Sequence, residues 1–290
     1  MKTFQAIGLI LLSALFLASH AGCGWDGWNS VYYRYDEADT YLAGGGSLTF
    51  LDEISLIEVN WVTGSVEIRE AEDDVISFSE SGADAQAYPM YWRNTGNSLQ
   101  IRFVKNNTLL KQIRKTLTLF VPRGVSVSKL KSETVSADCV MSGVAPEEAE
   151  FHSVSGNVSV TDGAGMRLEA ETVSGNVSVN ESAFDRISVE TVSGATAVTP
   201  GENGRYQTLT VSSVSGALNA RFDDAVQSIR FDTTSGNALL TTTGLVGFTA
   251  HLDTVSGHIS SQASKDWVYG DGSVLIEMDS VSGSLQIETL

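Results

Sequence analysis

Two cysteines and four prolines are all that this 290-residue chain contains of either type. Cys23 and Cys139 cannot build a disulfide framework, so the fold must rest on its own core. Scarce proline leaves long stretches free to pair as strands. Basic side chains are also few. The chain has 18 Lys and Arg against 35 Asp and Glu, a net charge of −17. So acidic a chain has no general attraction for nucleic acid. The N-terminal apolar run, Ile7–Ala18, is too short to span a bilayer comfortably. Catalytic signatures are missing as well. There is no nucleophile elbow, phosphate loop or calcium nonapeptide repeat. His152, His251 and His258 lack the spacing of metal ligands. The sequence therefore assigns no catalytic residue, no cofactor and no metal ligand.

The start of the chain reads as an export signal, with Lys2 ahead of the apolar run. Two cleavage readings fit. Ser19-His20-Ala21 allows cleavage before Gly22. Ala21-Gly22-Cys23 resembles the end of a bacterial lipobox, with cleavage before Cys23 and lipid on its sulfur. His20 stands where a lipobox carries an aliphatic residue. Under either reading the mature chain is exported to the cell envelope or beyond. Residues 1–22 are assigned as signal peptide. Residues 23–47, rich in Trp, Tyr, Gly and Asp, are assigned as a tether.

What the chain has in abundance is one phrase. Residues 153–160 read SVSGNVSV and residues 172–179 read TVSGNVSV. Val-Ser-Gly recurs at Gly156, Gly175, Gly194, Gly216, Gly257 and Gly283, with Thr-Ser-Gly at Gly236. Val62-Thr63-Gly64 is an early copy, and Ala137 takes the slot in a weakened one. From Ala137 onward the steps are 19, 19, 19, 22, 20, 21 and 26 residues, the mark of a solenoid. Val173, Gly175, Val177 and Val179 alternate with polar residues, which predicts strands with one buried face. An upstream strand, such as that of Leu168 and Ala170, slips parity before Val-Ser-Gly, as at a corner. The expected fold is all-β: a single-stranded parallel β-helix of coils of about 20 residues, right-handed by the crossover rule. The repeat glycine has two open explanations, crowding by the next coil or a positive φ. Cys139 aligns with Val158 and should point inward. Asp232 and Asp253, each four residues before a glycine, are expected to stack.

Residues 48–134 read as an N-terminal β region with the first coils, and residues 135–290 as the repeats. Strands are expected at Val75–Phe78, Leu99–Val104 and Leu117–Val121. Nine of the 18 basic residues lie between Arg93 and Lys131, with no acid among them. Arg102, Lys105, Lys111, Arg114 and Lys115 are thus candidates for contact with anionic lipid or wall polymer. The last repeat glycine lies seven residues from Leu290, so the C-terminal coil is expected to be covered by a partner or a second copy.

The repeats, preceded by Leu117-Thr118-Leu119-Phe120-Val121-Pro122, resemble the bacterial exported domains named "putative adhesin", a family of unknown function. The resemblance spans about residues 48–290. It implies attachment to a surface or membrane, and some members accompany envelope-stress regulators. It supplies no catalytic residues. The expected function is an exported, surface-attached, non-catalytic binding module. Its ligand would be a glycan, a wall polymer or a protein, and its membrane contact a lipid anchor. The alternative is an envelope-stress or regulatory accessory protein. A polysaccharide-acting enzyme is a third reading. It would need converging carboxylates, whereas Glu169, Glu171, Glu190, Asp232, Asp253 and Asp279 are scattered singly in sequence.

Overall fold

Along the strand Leu56–Ala71, Ile57, Val59, Val66 and Ile68 are fully buried, while Glu58, Ser65 and Glu67 face outward. Such alternation runs through the computed structural model and makes it an all-strand molecule, with one 3-10 turn at Ala38–Thr40. The structure describes residues 23–25, 31–49, 54–110, 112–201, 205–242, 246–260 and 267–289. The signal assignment over 1–22 and the candidate Lys111 lie outside them. Among the described residues no helix is long and apolar enough to cross a membrane.

One large, mostly parallel sheet holds nearly every strand, and it does not close into a barrel. Its registers follow the sequence repeat and give a solenoid-like body. In the downstream row Cys139 pairs with Val158, Val158 with Val177, Val177 with Thr196, Thr196 with Leu218 and Leu218 with Ala238. In the upstream row Ala149 pairs with Leu168, then Ile187, Leu209 and Ile229 in turn. All of these side chains are buried, the apolar ones in one continuous core. Cys139 is among them. Burial pushes its thiol up to about 12, against a hydrogen bond to Ser132 Oγ, so it is not a reactive thiol.

The corner between the two rows is built differently from the sequence expectation. The valine of Val-Ser-Gly does not enter the core: Val154, Val173 and Val192 are half-buried, and Val255 is 83% exposed. The residue before it does. Ser153, Thr172, Thr191, Ser213 and Thr233 are buried, and each hydroxyl accepts the N–H of the glycine three residues on, at 2.6–2.9 Å. The parity slip therefore falls inside the Val-Ser pair, two residues later than expected. A hydroxyl in the core is tolerated because it takes up a corner N–H that has no strand partner.

The glycine slot is explained by close approach. A Cβ on Gly175 would lie 1.9 Å from the Gly156 carbonyl oxygen, and the same clash recurs along the stack. Only at Gly64 does a positive φ, 101°, add to the crowding. There the strand runs straight through the slot without a corner.

At the N-terminal end, Leu56–Asn60 pairs with Ser98–Arg102, and Gly64–Ala71 pairs with Lys115–Pro122. Val75–Ser81 and Tyr91–Thr95 add antiparallel strands there. Within the segment read as a tether, the chain from Val31 onward carries paired strands. Val31–Tyr33 pairs with Thr108–Leu109, and Gly46–Thr49 pairs with Val75–Phe78.

At the other end the order of coils differs from the order of sequence. The final strands, Val274–Ser280 and Leu285–Thr289, pair on one side with Ser228–Thr233 and Ala238–Thr242. On the other side they pair with Phe248–Thr254 and Ile259–Ser260. The C-terminal coil is thus enclosed by its own chain. This corrects the expectation that it offers a free end to a partner or second copy. It also places Asp279 between Asp232 and Asp253 in the register.

Candidate binding cleft

The segment Val31–Thr49 folds back across the outward face of the first coils because its tyrosines are anchored there. Tyr33 is buried. Its hydroxyl donates to the Asn60 carbonyl and accepts the Phe103 N–H, both at 3.1 Å. Tyr35 and Asn106 clamp each other. The Tyr35 N–H donates to Asn106 Oδ1 at 3.0 Å, and the Asn106 N–H donates to the Tyr35 hydroxyl at 3.1 Å. Tyr35 stands edge-on to Tyr33 and to Tyr41, with centroids 5.6 and 4.9 Å apart. Burial pushes the Tyr35 phenol up to about 12.

Between this segment and the sheet lies an open cleft of about 1170 Å³. Its aromatic wall is Tyr33, Tyr35 and Tyr41, and its floor carries Glu58, Asn60, Gln100, Arg102, Lys131 and Glu133. Nearly every polar group is fixed. Arg93 lies 4.7 Å over the Tyr41 ring, bonds Gln100 Oε1 at 2.8 Å and pairs with Glu37. Tyr41 donates to the same Gln100 oxygen at 2.7 Å. Arg102 pairs with Glu58 at 2.7 Å and lies 5.8–6.0 Å from the Tyr35 and Tyr41 centroids. Burial pulls the Arg102 guanidinium down, but Glu58 and the neighbouring tyrosines outweigh it and hold it above its ordinary value. Asn60 Nδ2 donates to Glu133, which also binds Lys131 at 2.6 Å. Asn60 Oδ1 and Arg102 Nε are sealed from solvent with no hydrogen-bond partner among the described residues. Such a surface suits a polar ligand with flat faces and several hydroxyls.

The sequence-predicted basic band is not a continuous surface. Arg102 sits in the cleft, paired. Lys115 is buried, with its ammonium on Glu80 Oε2 and the Tyr88 carbonyl, both at 2.6 Å. Burial draws it below the usual lysine range, against the opposing pull of Glu80. Of the five candidates only Lys105 and Arg114 are exposed among the described residues. The expectation fails for Lys115 because its position faces inward on a strand whose alternation continues Leu117 and Leu119. Sequence reading missed the cleft because its two walls come from segments about seventy residues apart. The one available signal was the Tyr-rich stretch 32–41.

The sequence profile of the Toastrack DUF4097 family matches residues 54–288. The chain belongs to the Toastrack DUF4097 family. No functionally curated protein matches it. A solved Bacteroides fragilis protein described as a "putative adhesin" is similar at 14% identity. The match covers 86% of this chain and 97% of that one, with a TM-score of 0.52. A Parabacteroides distasonis protein described as a "putative lipid binding protein" also has 14% identity. It covers 86% and 96% of the two chains, with a TM-score of 0.49. At such identities the Bacteroides likeness concerns the fold alone. The family membership agrees with the resemblance read from the Val-Ser-Gly repeats, and this Toastrack domain spans the repeats together with the strands that precede them.

Proposed function

We propose that this chain is an exported, surface-attached, non-catalytic binding module that holds a glycan or glycan-like wall polymer in the tyrosine-lined cleft. The scaffold is a right-handed parallel β-helix with coils of about twenty residues. The observation that carries the reading is the cleft itself: the half-buried Tyr35 beside clamped guanidinium, carboxamide and carboxylate groups. Sugar rings stack on aromatic faces while their hydroxyls reach such planar donors and acceptors. Preorganised side chains lose little entropy on binding. The adhesin description of a similar solved protein is in keeping with a binding role. Cys23 is the proposed lipid attachment point. Its backbone pairs opposite Tyr33, the first tyrosine of the cleft wall, so the anchor and the cleft share one end of the molecule. The accessory-protein alternative rests on the family context and on the basic band, of which Arg102 is paired in the cleft and Lys115 is buried.

The test is retention of the chain on purified envelope polysaccharide and on foreign cell surfaces, compared with Tyr35→Ala and Arg93→Ala. Saturable carbohydrate binding that weakens at least about tenfold in both variants is expected. Binding that ignores both changes would refute the cleft as the ligand site.

A further inference from the structure

On the outward face beyond the cleft, the strand register gathers residues that are far apart in sequence. Glu133, which lines the cleft, is the strand partner of His152. His152 pairs with Glu171, Glu171 with Glu190, and Glu150 with Glu169. Residues 169 and 171 share a face because they are two apart on one strand. One ring nitrogen of His152 and one carboxylate oxygen each from Glu169 and Glu171 all lie within 4.8 Å of one another.

Ion pairs already account for several charges nearby. Glu150 is held by Lys129, Glu169 by Arg167 at 2.6 Å, and Glu133 by Lys131 at 2.6 Å. Glu171 and Glu190 have neither an ion pair nor a hydrogen bond among the described residues. His152 Nε2 is sealed from solvent, with less than 1 Å² exposed, and has no hydrogen-bond partner among the described residues. A buried imidazole nitrogen without a protein partner is costly, and it calls for an ordered water or an ion. Ionised carboxylates only accept hydrogen bonds. A cation satisfies the nitrogen lone pair and the carboxylates together.

We propose that His152, Glu169 and Glu171 form a site for a divalent first-row transition-metal ion of the zinc type. The imidazole selects against calcium and magnesium, which take oxygen ligands, and calcium takes six to eight of them. Ligand atoms around a tetrahedral zinc stand roughly 3.3 Å apart, so small side-chain rotations draw the three groups together. Lys131 opposes the ion, but its charge is engaged by Glu133, while Glu190 on the next strand adds negative potential. Three protein ligands leave a fourth position open to water or a bound molecule. The site stands apart from the glycan reading, since none of its three ligands lines the cleft.

The test uses the chain without a histidine tag, stripped with a chelator, then titrated with Zn²⁺ and Co²⁺ and, for comparison, Ca²⁺ and Mg²⁺. One equivalent of zinc should bind saturably in the micromolar range, and cobalt should give a visible ligand-field spectrum. His152→Ala should abolish the cobalt spectrum. Glu171→Gln should weaken zinc binding at least about tenfold by deleting one of three ligands. This second variant removes a repelled carboxylate, so it keeps the fold and the test. His258→Ala should change nothing. No saturable zinc binding at high micromolar concentration would overturn the proposal. So would zinc binding that is undiminished in both His152→Ala and Glu171→Gln.

Discussion

Gly283 stacks on Gly236, although Gly257 comes before it in the chain. The Gly236 carbonyl oxygen lies 2.0 Å from where a Cβ of Gly283 would stand, and the Gly283 carbonyl lies 1.8 Å from that of Gly257. The coil of Val274–Thr289 lies between two coils that precede it in the chain. Removing residues 274–290 should therefore expose both neighbours at once. Hydrogen exchange should speed up over 248–254, which loses its parallel partner, and over 228–242. Protection of 248–254 that survives the truncation would contradict the inserted order.

The corner gives a prediction that separates glycine from valine. Gly175→Ala sets a methyl carbon against the Gly156 backbone carbonyl, two residues ahead of the paired strand Val158–Thr161. It should cost about 3 kcal/mol or more. Val173→Ala, two residues earlier, trims a half-exposed side chain and should cost under about 1 kcal/mol. Thr172→Val should cost about 1–3 kcal/mol, because it strands the Gly175 N–H. Chemical denaturation of the three variants checks the order. A Val173 cost equal to that of Gly175 would restore the valine to the core.

The strands were legible because burial is written at every second position, as in Val177 and Val179 or Leu117 and Leu119. The stacking partner of each residue followed from the repeat length, and Cys139 fell into line with Val158. The corner misled because Val is the more apolar neighbour of Thr172, yet the hydroxyl has a hydrogen bond to make inside. Coil order at the C-terminal end depends on which edge the chain returns to, and no residue type encodes that. The His152 cluster was in principle readable, since a nineteen-residue step carries 152 onto 171. Spacing along the chain does not show it, because its residues meet across coils.

Glu171 makes stability depend on pH. Burial first, and then Glu190, Glu169 and Glu150, push its carboxyl from 4.5 up to about 7, while Lys131 opposes them. His152 on the adjoining strand is held below its ordinary value by burial and Lys131. Between pH 4.5 and 7 the folded chain keeps a proton at Glu171 that the unfolded chain has released. The stabilisation is therefore complete below the unfolded value and is lost as pH rises through that window. The full shift corresponds to about 3 kcal/mol, and partial exposure reduces this to about 1 kcal/mol. In the presence of a chelator, Glu171→Gln should flatten the fall in stability between pH 5 and 7 (about these limits). An unchanged slope would remove Glu171 as its source.

Lys115 should behave as a core residue rather than as a surface charge. Its side chain has no exposure, and its ammonium lies 5.0 Å from the Trp61 ring centroid and 4.8 Å from that of Phe103. Its partner Glu80 also accepts the Met90 N–H, so one carboxylate ties Lys115 to the loop before Tyr91. Lys115→Ser leaves that carboxylate buried without its counter-ion and opens a void beside Trp61. The cost should be about 3–5 kcal/mol. Lys115→Met with Glu80→Gln fills the space and removes both charges, and should recover much of the loss. Lys105→Ser and Arg114→Ser, on exposed side chains, should leave stability within about 0.5 kcal/mol. Thermal unfolding distinguishes these cases. If Lys115→Ser were as stable as Lys105→Ser, the ammonium would have to be reaching water, and the basic band would again be a surface.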